Sequence, residues 1–375
     1  MKIKEFEVYG FMGRDYSIVL NFNDDLNIIT GKNGSGKTTL LKLMWYVISG
    51  NILLALKEIK FKKARIVTDS YDCTINNLGS NRCNVYWKDL TSGQEISFKD
   101  VIDFIDNDGD EIVSSNAEDQ ANVEILKHGS SIFLPTFRRI EGGFSIKDVS
   151  FNPFSKNKIE IEESLQGLSK KLSNGKHIFI AALSTSDIVT MLVRKYADLS
   201  EEYNNMQKNV SQEIVEKIKV FKKGDQSSDL TAAMDVIEEV NSQIHNMESM
   251  REKLMTPIES VNKLAMEMFS HAGIRLTKTL SFGDSANSVN SDELSAGEKQ
   301  MFSFIAYNSF YTDAIFIIDE PELSLHVDWQ RQLFPKLLSQ QSTNQFIIAT
   351  HSPFIYSKYP DKELQIDEDR GCSEE

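Results

Sequence analysis

The sequence predicts an α/β fold in three parts: a mixed N-terminal β-lobe, a parallel-sheet core and an inserted antiparallel helical hairpin. Three observations predict it. The apolar run "LNIIT" (residues 26–30) leads into a glycine-rich turn and then a helical stretch, the strand–turn–helix order of a parallel core. Two more apolar runs, "AIFIID" and "NQFIIA", lie near the other end of the chain and suit strands buried on both faces. In the intervening chain, from residue 186 to about 270, apolar residues recur at spacings of three and four, the period of helices.

The elements follow in order. "IKEFEVYG" alternates apolar and charged residues and reads as a strand, as does "YSIVLNF". "GKNGSGKTTLLKLMWYVISG" is a glycine loop and a helix ending near Gly50. Residues 58 to 135 hold several short strand candidates, among them "CNVYWK" and "SIFLP". "DVSFNPFSKNKIEIEES" has little periodicity and reads as a loop.

The helical part has two seams. Val189, Leu192, Tyr196, Leu199, Tyr203, Met206 and Val210 form the first, which shifts phase to Ile214, Ile218 and Phe221. "KKGDQSSD" is a turn signal with Ser228 as the expected N-cap. The second seam runs Leu230, Ala233, Ile237, Val240, Ile244, Met247, Arg251, Leu254, Ile258, Val261, Ala265, Met268, with Pro257 expected to kink or weaken it. Two seams and a short turn predict an antiparallel hairpin. A 40-residue helix would be ~60 Å long, so the hairpin is either a projecting arm or a pair of helices in a compact lobe. "GIRLTKTLSF" then reads as a strand, followed by "LSAGEKQ" and an apolar helix.

Composition sets bounds. Hydrophobic residues make up 41% and charged residues 26%, an ordinary globular mix. No apolar run reaches the ~18 residues that span a bilayer, so no membrane partner is expected. Cys73, Cys83 and Cys372 show neither disulfide nor metal spacing, and a reducing, cytoplasmic setting is the expectation. The net charge of −14 argues against nucleic-acid binding by the whole surface but not by a local patch. "LKEIKFKKAR" is the candidate patch, with Lys57, Lys60, Lys62, Lys63 and Arg65; the competing reading is an edge strand guarded by lysines. The acidic tail "DKELQIDEDRGCSEE" reads as frayed.

Three segments carry chemistry. "GKNGSGKT", Gly31 to Thr38, fits G-x-x-x-x-G-K-[ST]. Its glycines let the backbone curl so that N–H groups cradle phosphate oxygens. Asn33, Gly34, Ser35, Gly36, Lys37, Thr38 and Thr39 form the expected nucleotide-binding segment. Lys37 would reach the β- and γ-phosphates, and the Thr38 hydroxyl would ligand Mg²⁺. "AIFIIDEP" delivers Asp319 to a strand end, where a carboxylate can hold Mg²⁺. Glu320 follows, placed to orient or deprotonate water. "FIIATHSP" sets His351 at another strand end, where it is either structural or faces the γ-phosphate. "LSAGEKQMF" is a second anion site, a small-residue turn opening a helix.

Together these motifs resemble the ATP-binding-cassette (ABC) ATPases, in the soluble branch that includes SMC, RecF and OLD-type proteins. The resemblance covers roughly residues 1–50 and 290–357. It implies an ABC-type ATPase head using ATP and Mg²⁺, with Lys37 and Thr38 in the phosphate-loop roles, Thr38 and Asp319 at the metal, Glu320 as general base and His351 as switch histidine. It also implies that Ser295, Gly297 and Glu298 act in trans, on the nucleotide of a second copy, so that a homodimer sandwiches two ATP molecules. "ELSLH" would signal across that dimer. The glutamine of the family's Q-loop has no clear counterpart: Gln94 and Gln166 sit in unconvincing contexts, while "FLPTFRRIEGG" brings Arg138 or Arg139 into the region. "LPTFRRIE" and "DEPELSLH" resemble more closely the ATPases of prokaryotic anti-phage defence systems: Septu PtuA-like, PARIS-type and retron-associated.

The expected organisation is residues 1–185 as an ATPase lobe with the phosphate loop, 186–270 as the helical insertion and 271–375 as the second ATPase lobe. OLD proteins continue into a nuclease domain. This sequence stops soon after His351, so it reads as a defence ATPase that controls a separate effector, a nuclease or toxin. A second reading is a RecF/SMC-like repair or recombination ATPase whose dimer itself clamps DNA; in either reading nucleic acid could be met through the partner or the local basic patch. A third is a scaffold whose ATP only locks the dimer; the intact Glu320 counts against it.

Overall fold

Alternation of apolar and polar residues builds the first sheet. In the computed structural model, which describes residues 1–105, 111–136, 139–141, 164–223, 230–269, 295–340 and 342–366, six antiparallel strands lie in the order Ser17–Asn21, Ile3–Tyr9, Lys63–Thr68, Tyr71–Gly79, Arg82–Asp89, Glu95–Phe98. Register sets the inward residues opposite one another: Phe6 faces Leu20 and Ile66, and Ile75 faces Val85. Lys63–Thr68 is therefore an inner strand, paired on both sides, and the guarded-edge reading of its lysines is corrected. Those cations are spent on neighbouring acids: Arg65 on Glu5 and Asp72, Lys62 on Asp15 and Lys63 on Glu7.

The second sheet is parallel throughout. Its strands are β1 (Leu26–Thr30), β2 (Ser131–Leu134), β3 (His177–Phe179), β4 (Ile315–Asp319), β5 (Gln345–Ala349) and β6 (Glu363–Gln365). Their spatial order is β3-β2-β4-β5-β1-β6. Strands β1, β4 and β5 are buried at every position, as their continuous apolar runs require. Of the C-terminal stretch read as frayed, residues 363–365 form β6, and those from 367 onward lie outside the described residues. Glu363 accepts a bond from Thr30 Oγ1 at 2.6 Å, and Lys362 pairs with Asp25 at 2.6 Å.

Helix α1 (Lys37–Ile48) is apolar from its second turn on except at Lys42, with Leu40, Leu41, Leu43, Met44, Trp45, Tyr46, Val47 and Ile48 buried. A helix of that kind needs cover on every side. Both sheets supply it: Phe6, Val8 and Ile18 from the first and Ile29, Ile317 and Ile347 from the second belong to the same core. Trp45 stacks on Phe133 at 5.4 Å and packs on Phe179 at 5.5 Å. Phe316, Phe346 and Phe334 cluster separately. The Gln345 amide stitches the two sheets, accepting from Ile3 N at 2.8 Å and donating to Ile3 O at 2.7 Å.

The chain divides into two units. The first holds Met1–Ser184, Glu293–Phe304 and Tyr311–Glu375; the second holds Thr185–Asp292 and Ile305–Phe310. Within the second, α2 (Thr185–Lys223) and α3 (Leu230–Phe269) are long helices. Lys217 pairs with Glu239, while Arg251 lies over the Tyr203 ring at 5.7 Å; residue numbers rise on one helix as they fall on the other, so the pair is antiparallel. Helix α3 continues through Pro257. The seam's phase differs from the expectation. Val240, Met247, Leu254 and Val261 turn inward, but Ile237 and Ile244 are exposed and Val236 and Gln243 take their places. On α2, Ile218 is likewise exposed and Lys217 half-buried. The "KKGDQSSD" tip from residue 224, with Ser228, the loop at 148–163 and the "GIRLTKTLSF" strand lie outside the described residues.

Candidate nucleotide-binding site

The site forms where β1, β4, β5 and β2 end, at the carboxyl edge of the parallel sheet, the side on which open α/β sheets bind ligands. Strand β1 delivers Gly31, and the loop that follows enters α1 at Lys37. Gly34 and Gly36 have φ of +80° and +98°, conformations costly for residues with a Cβ. At Gly36 there is no room either: a Cβ would stand 2.6 Å from Met12 Sδ and 2.9 Å from Phe11. Helix α1 has no side-chain N-cap, and N–H groups at the first turn of such a helix point outward, where an anion can meet them.

Lys37 is buried and donates to Gly31 O at 2.8 Å and Lys32 O at 3.0 Å. Ser35 is buried too, and its Oγ has no hydrogen-bond partner. A buried orphan hydroxyl is costly unless a ligand satisfies it. Asn33, Gly34 and Thr38 are exposed. These features fit a phosphate group bound along the loop.

Asp319 ends β4 at 1% exposure. It accepts a hydrogen bond from Thr136 Oγ1, two residues beyond the end of β2. Glu320 follows with φ +47°, an uncommon region for a residue with a side chain, and its N–H donates to Ala349 O at 2.8 Å. His351 stands past β5. Burial lowers its pKa below the ordinary value, Lys37 lowers it further, and Glu322 and Asp319 oppose the shift. Lys37, Glu322 and Asp319 thus lie close enough to His351 for their charges to act on it. The structure brings Lys37, at the head of α1, and Asp319, at the end of β4, close to His351, just past β5.

The "LSAGE" segment opens α4 (Ala296–Phe310). Ser295 N donates to Glu298 Oε2 at 2.7 Å and Glu298 N donates to Ser295 Oγ at 3.3 Å, a reciprocal capping box. Glu298 therefore caps its own helix. Gly297 lies against the loop after Asp319: a Cβ there would meet Ser324 O at 2.5 Å. Gln300 reinforces the contact, donating to Pro321 O at 2.8 Å. Among the described residues no hydrogen bond or ion pair joins Ser295, Gly297 or Glu298 to the phosphate loop of their own chain.

Reading the sequence missed Thr136, Glu322 and Gln300. The first two lie inside segments already singled out, "LPTFRRIE" and "DEPELSLH", where attention went to the arginines and to the first acidic pair. Arg138 is outside the described residues, and of Arg139 only its place in a short strand, Arg139–Glu141, is described. Gln94 is exposed in the first sheet's last hairpin, and Gln166 lies in a helix over 164–172.

Strand, glycine loop, uncapped helix and a buried acid on a nearby strand of one parallel sheet define a phosphate-loop ATPase-type core. The chain belongs to the family described as "AAA domain, putative AbiEii toxin, Type IV TA system", which matches residues 26–357. It is similar to the "Retron Vc95 probable ATPase" of Vibrio cholerae serotype O1 biovar El Tor, 21% identical over 90% of this chain and 68% of that one. It is similar to "Endonuclease GajA" of Bacillus cereus (strain VD045), 26% identical over 94% of this chain but only 56% of that one. A shorter stretch is 34% identical to "Septu protein PtuA" of Bacillus thuringiensis, over 22% of this chain and 20% of that one. No helix among the described residues is long and apolar enough to cross a membrane.

Proposed function

We propose that this chain binds and hydrolyses ATP, that two copies close head-to-tail around it, and that the cycle controls a separate effector, a nuclease or toxin, in an anti-phage defence system. The observation that carries the ATPase reading is the convergence of Lys37, Asp319 and His351 beside a loop whose buried Ser35 hydroxyl lacks a partner. The defence reading is supported by likeness to proteins named for a retron and for Septu. The dimer is supported by the resemblance carried by "LSAGEKQ", and cytoplasmic placement by the cysteine pattern.

In this reading the loop N–H groups from Gly34 to Thr39 bind the phosphates, and Lys37 exchanges its two backbone carbonyls for phosphate oxygens. Thr38 and Asp319 would hold Mg²⁺, which would supply neutralisation of charge on the phosphate oxygens. Glu320 orients the attacking water and takes its proton. His351, whose pKa burial and Lys37 lower, would meet the reacting end through its imidazole. Ser295 and Gly297 act on the nucleotide of the other copy. The test is ATP turnover by the purified chain and by Lys37→Ala. Loss of both binding and turnover in the variant is expected; turnover unchanged in Lys37→Ala overturns the assignment.

A further inference from the structure

The loop after Asp319 holds more than the metal-side acids. Glu322 Oε1 accepts the backbone N–H of His351 at 2.8 Å and that of Ser352 at 3.1 Å. The two donors lie on a different strand connection, after β5, and reach the same oxygen. Ser352 N is shared with Thr350 Oγ1 at 3.0 Å, whereas His351 N donates to Glu322. Further links close the junction: Ser352 Oγ donates to Gln330 Oε1 at 2.6 Å, and Gln330 Nε2 donates to Leu325 O at 2.9 Å.

We infer that Glu322 is the positioning residue for His351: by accepting the backbone N–H groups at 351 and 352 it sets where the imidazole stands relative to the phosphate loop. The inference rests on the ATPase reading above. Its physical basis is simple. His351 leaves the sheet at the end of β5, past the last ladder partner, Ala349. Thr350 N–H still reaches Ile29 O at 3.3 Å, but the ladder pairing ends there, and an imidazole placed an ångström away loses its hydrogen bond to a reacting group. Two convergent N–H bonds to one oxygen replace the missing ladder. Glu322 Oε2 is buried without a hydrogen-bond partner, so the anchoring is done at Oε1. An amide oxygen could do the same work, whereas a methyl group could not.

That difference supplies the test. Wild type, Glu322→Gln and Glu322→Ala are compared for folding by thermal melting, for affinity toward a fluorescent ATP analogue, for kcat and KM, and for the imidazole resonance of His351 on titration with a slowly hydrolysed ATP analogue. The resonance is assigned by its loss in His351→Gln. Expected for Glu322→Ala is a kcat lowered about tenfold or more with KM and nucleotide affinity within about twofold, and a His351 resonance that no longer responds to nucleotide. Glu322→Gln should stay within about twofold of wild type and keep the response. The inference is overturned if Glu322→Ala keeps both kcat and the resonance response, or if Glu322→Gln is as impaired as Glu322→Ala. Absence of nucleotide binding or turnover in the wild type would instead sink the ATPase reading, a result read from different arms of the same experiment.

Discussion

Gly297 presses on the backbone of Ser324: a methyl group on the glycine would stand 2.5 Å from the serine carbonyl oxygen. The glycine of "LSAGE" thus joins the head of α4 to the loop that follows Asp319 and Glu320, and Gln300 bonds the same loop through Pro321 O. Ser324 itself has φ +68°, so neither side of the contact has slack.

From this contact we predict that Gly297→Ala is harmful although alanine is the better helix former by about 1 kcal/mol. The clash is with backbone, which cannot rotate aside, and overpacking of this kind costs about 1–3 kcal/mol. A lowered melting temperature and reduced turnover are expected, with ATP affinity little changed. An unchanged melt and full turnover would show that α4 slides at no cost.

Glu320→Gln should bind Mg²⁺–ATP and fail to turn it over, with kcat reduced about 10²-fold or more, since the amide cannot take a proton from water. The variant should accumulate the closed dimer, read by light scattering with and without ATP. Wild-type turnover in this variant would remove Glu320 from the role of base.

Ser295→Arg should block turnover and leave ATP binding intact, because in the proposed dimer Ser295 serves the other copy's nucleotide. Mixed with Lys37→Ala, it should recover part of the activity, as one composite site in a mixed dimer is whole. Arginine also removes the hydroxyl that caps Glu298 N, at a cost of about 1 kcal/mol, so the melt is measured alongside. A mixture that stays inactive despite forming mixed dimers counts against action in trans.

His177 supplies a pH prediction away from the chemistry. It is buried, shares a 2.8 Å hydrogen bond with Ser131 Oγ, and burial pushes its pKa down to about 4 from 6.5. The unfolded chain takes up this proton near 6.5, while the folded chain resists it until about 4. Stability is therefore full above pH 6.5, falls as pH drops from 6.5 to about 4, and loses nothing further from this group below that. The loss is on the order of 3 kcal/mol. His177→Gln should flatten that part of the melting-temperature profile; an unchanged slope would show that His177 does not set it.

Much of the site was legible because its chemistry is local. Gly34, Gly36 and Lys37 sit in one octapeptide whose turn needs glycine at set positions. Asp319 and His351 each end a run of residues apolar enough to be central strands. Glu322 and Thr136 were not legible in their roles. Their partners, the His351 N–H and the Asp319 carboxylate, lie on neighbouring strands of the sheet but far away along the chain, and nothing in a peptide's own composition says which strand will lie beside it.

The helical hairpin draws the same line. The spacing of apolar residues determined by itself that 186–270 would be helical and amphipathic, because 3.6 residues per turn is a property of the backbone. It did not determine the phase. Ile237 and Ile244 satisfy the period as well as Val236 and Gln243 do, yet the first pair faces solvent and the second turns inward. Lys63–Thr68 behaves alike: its alternation determined a strand, and only its two neighbours made it an inner one. Period is dictated within a segment by covalent geometry. Facing, register and neighbour are dictated between segments, by which surfaces bury the most apolar area and leave the fewest backbone groups unpaired, and so they were decided by the tertiary structure alone.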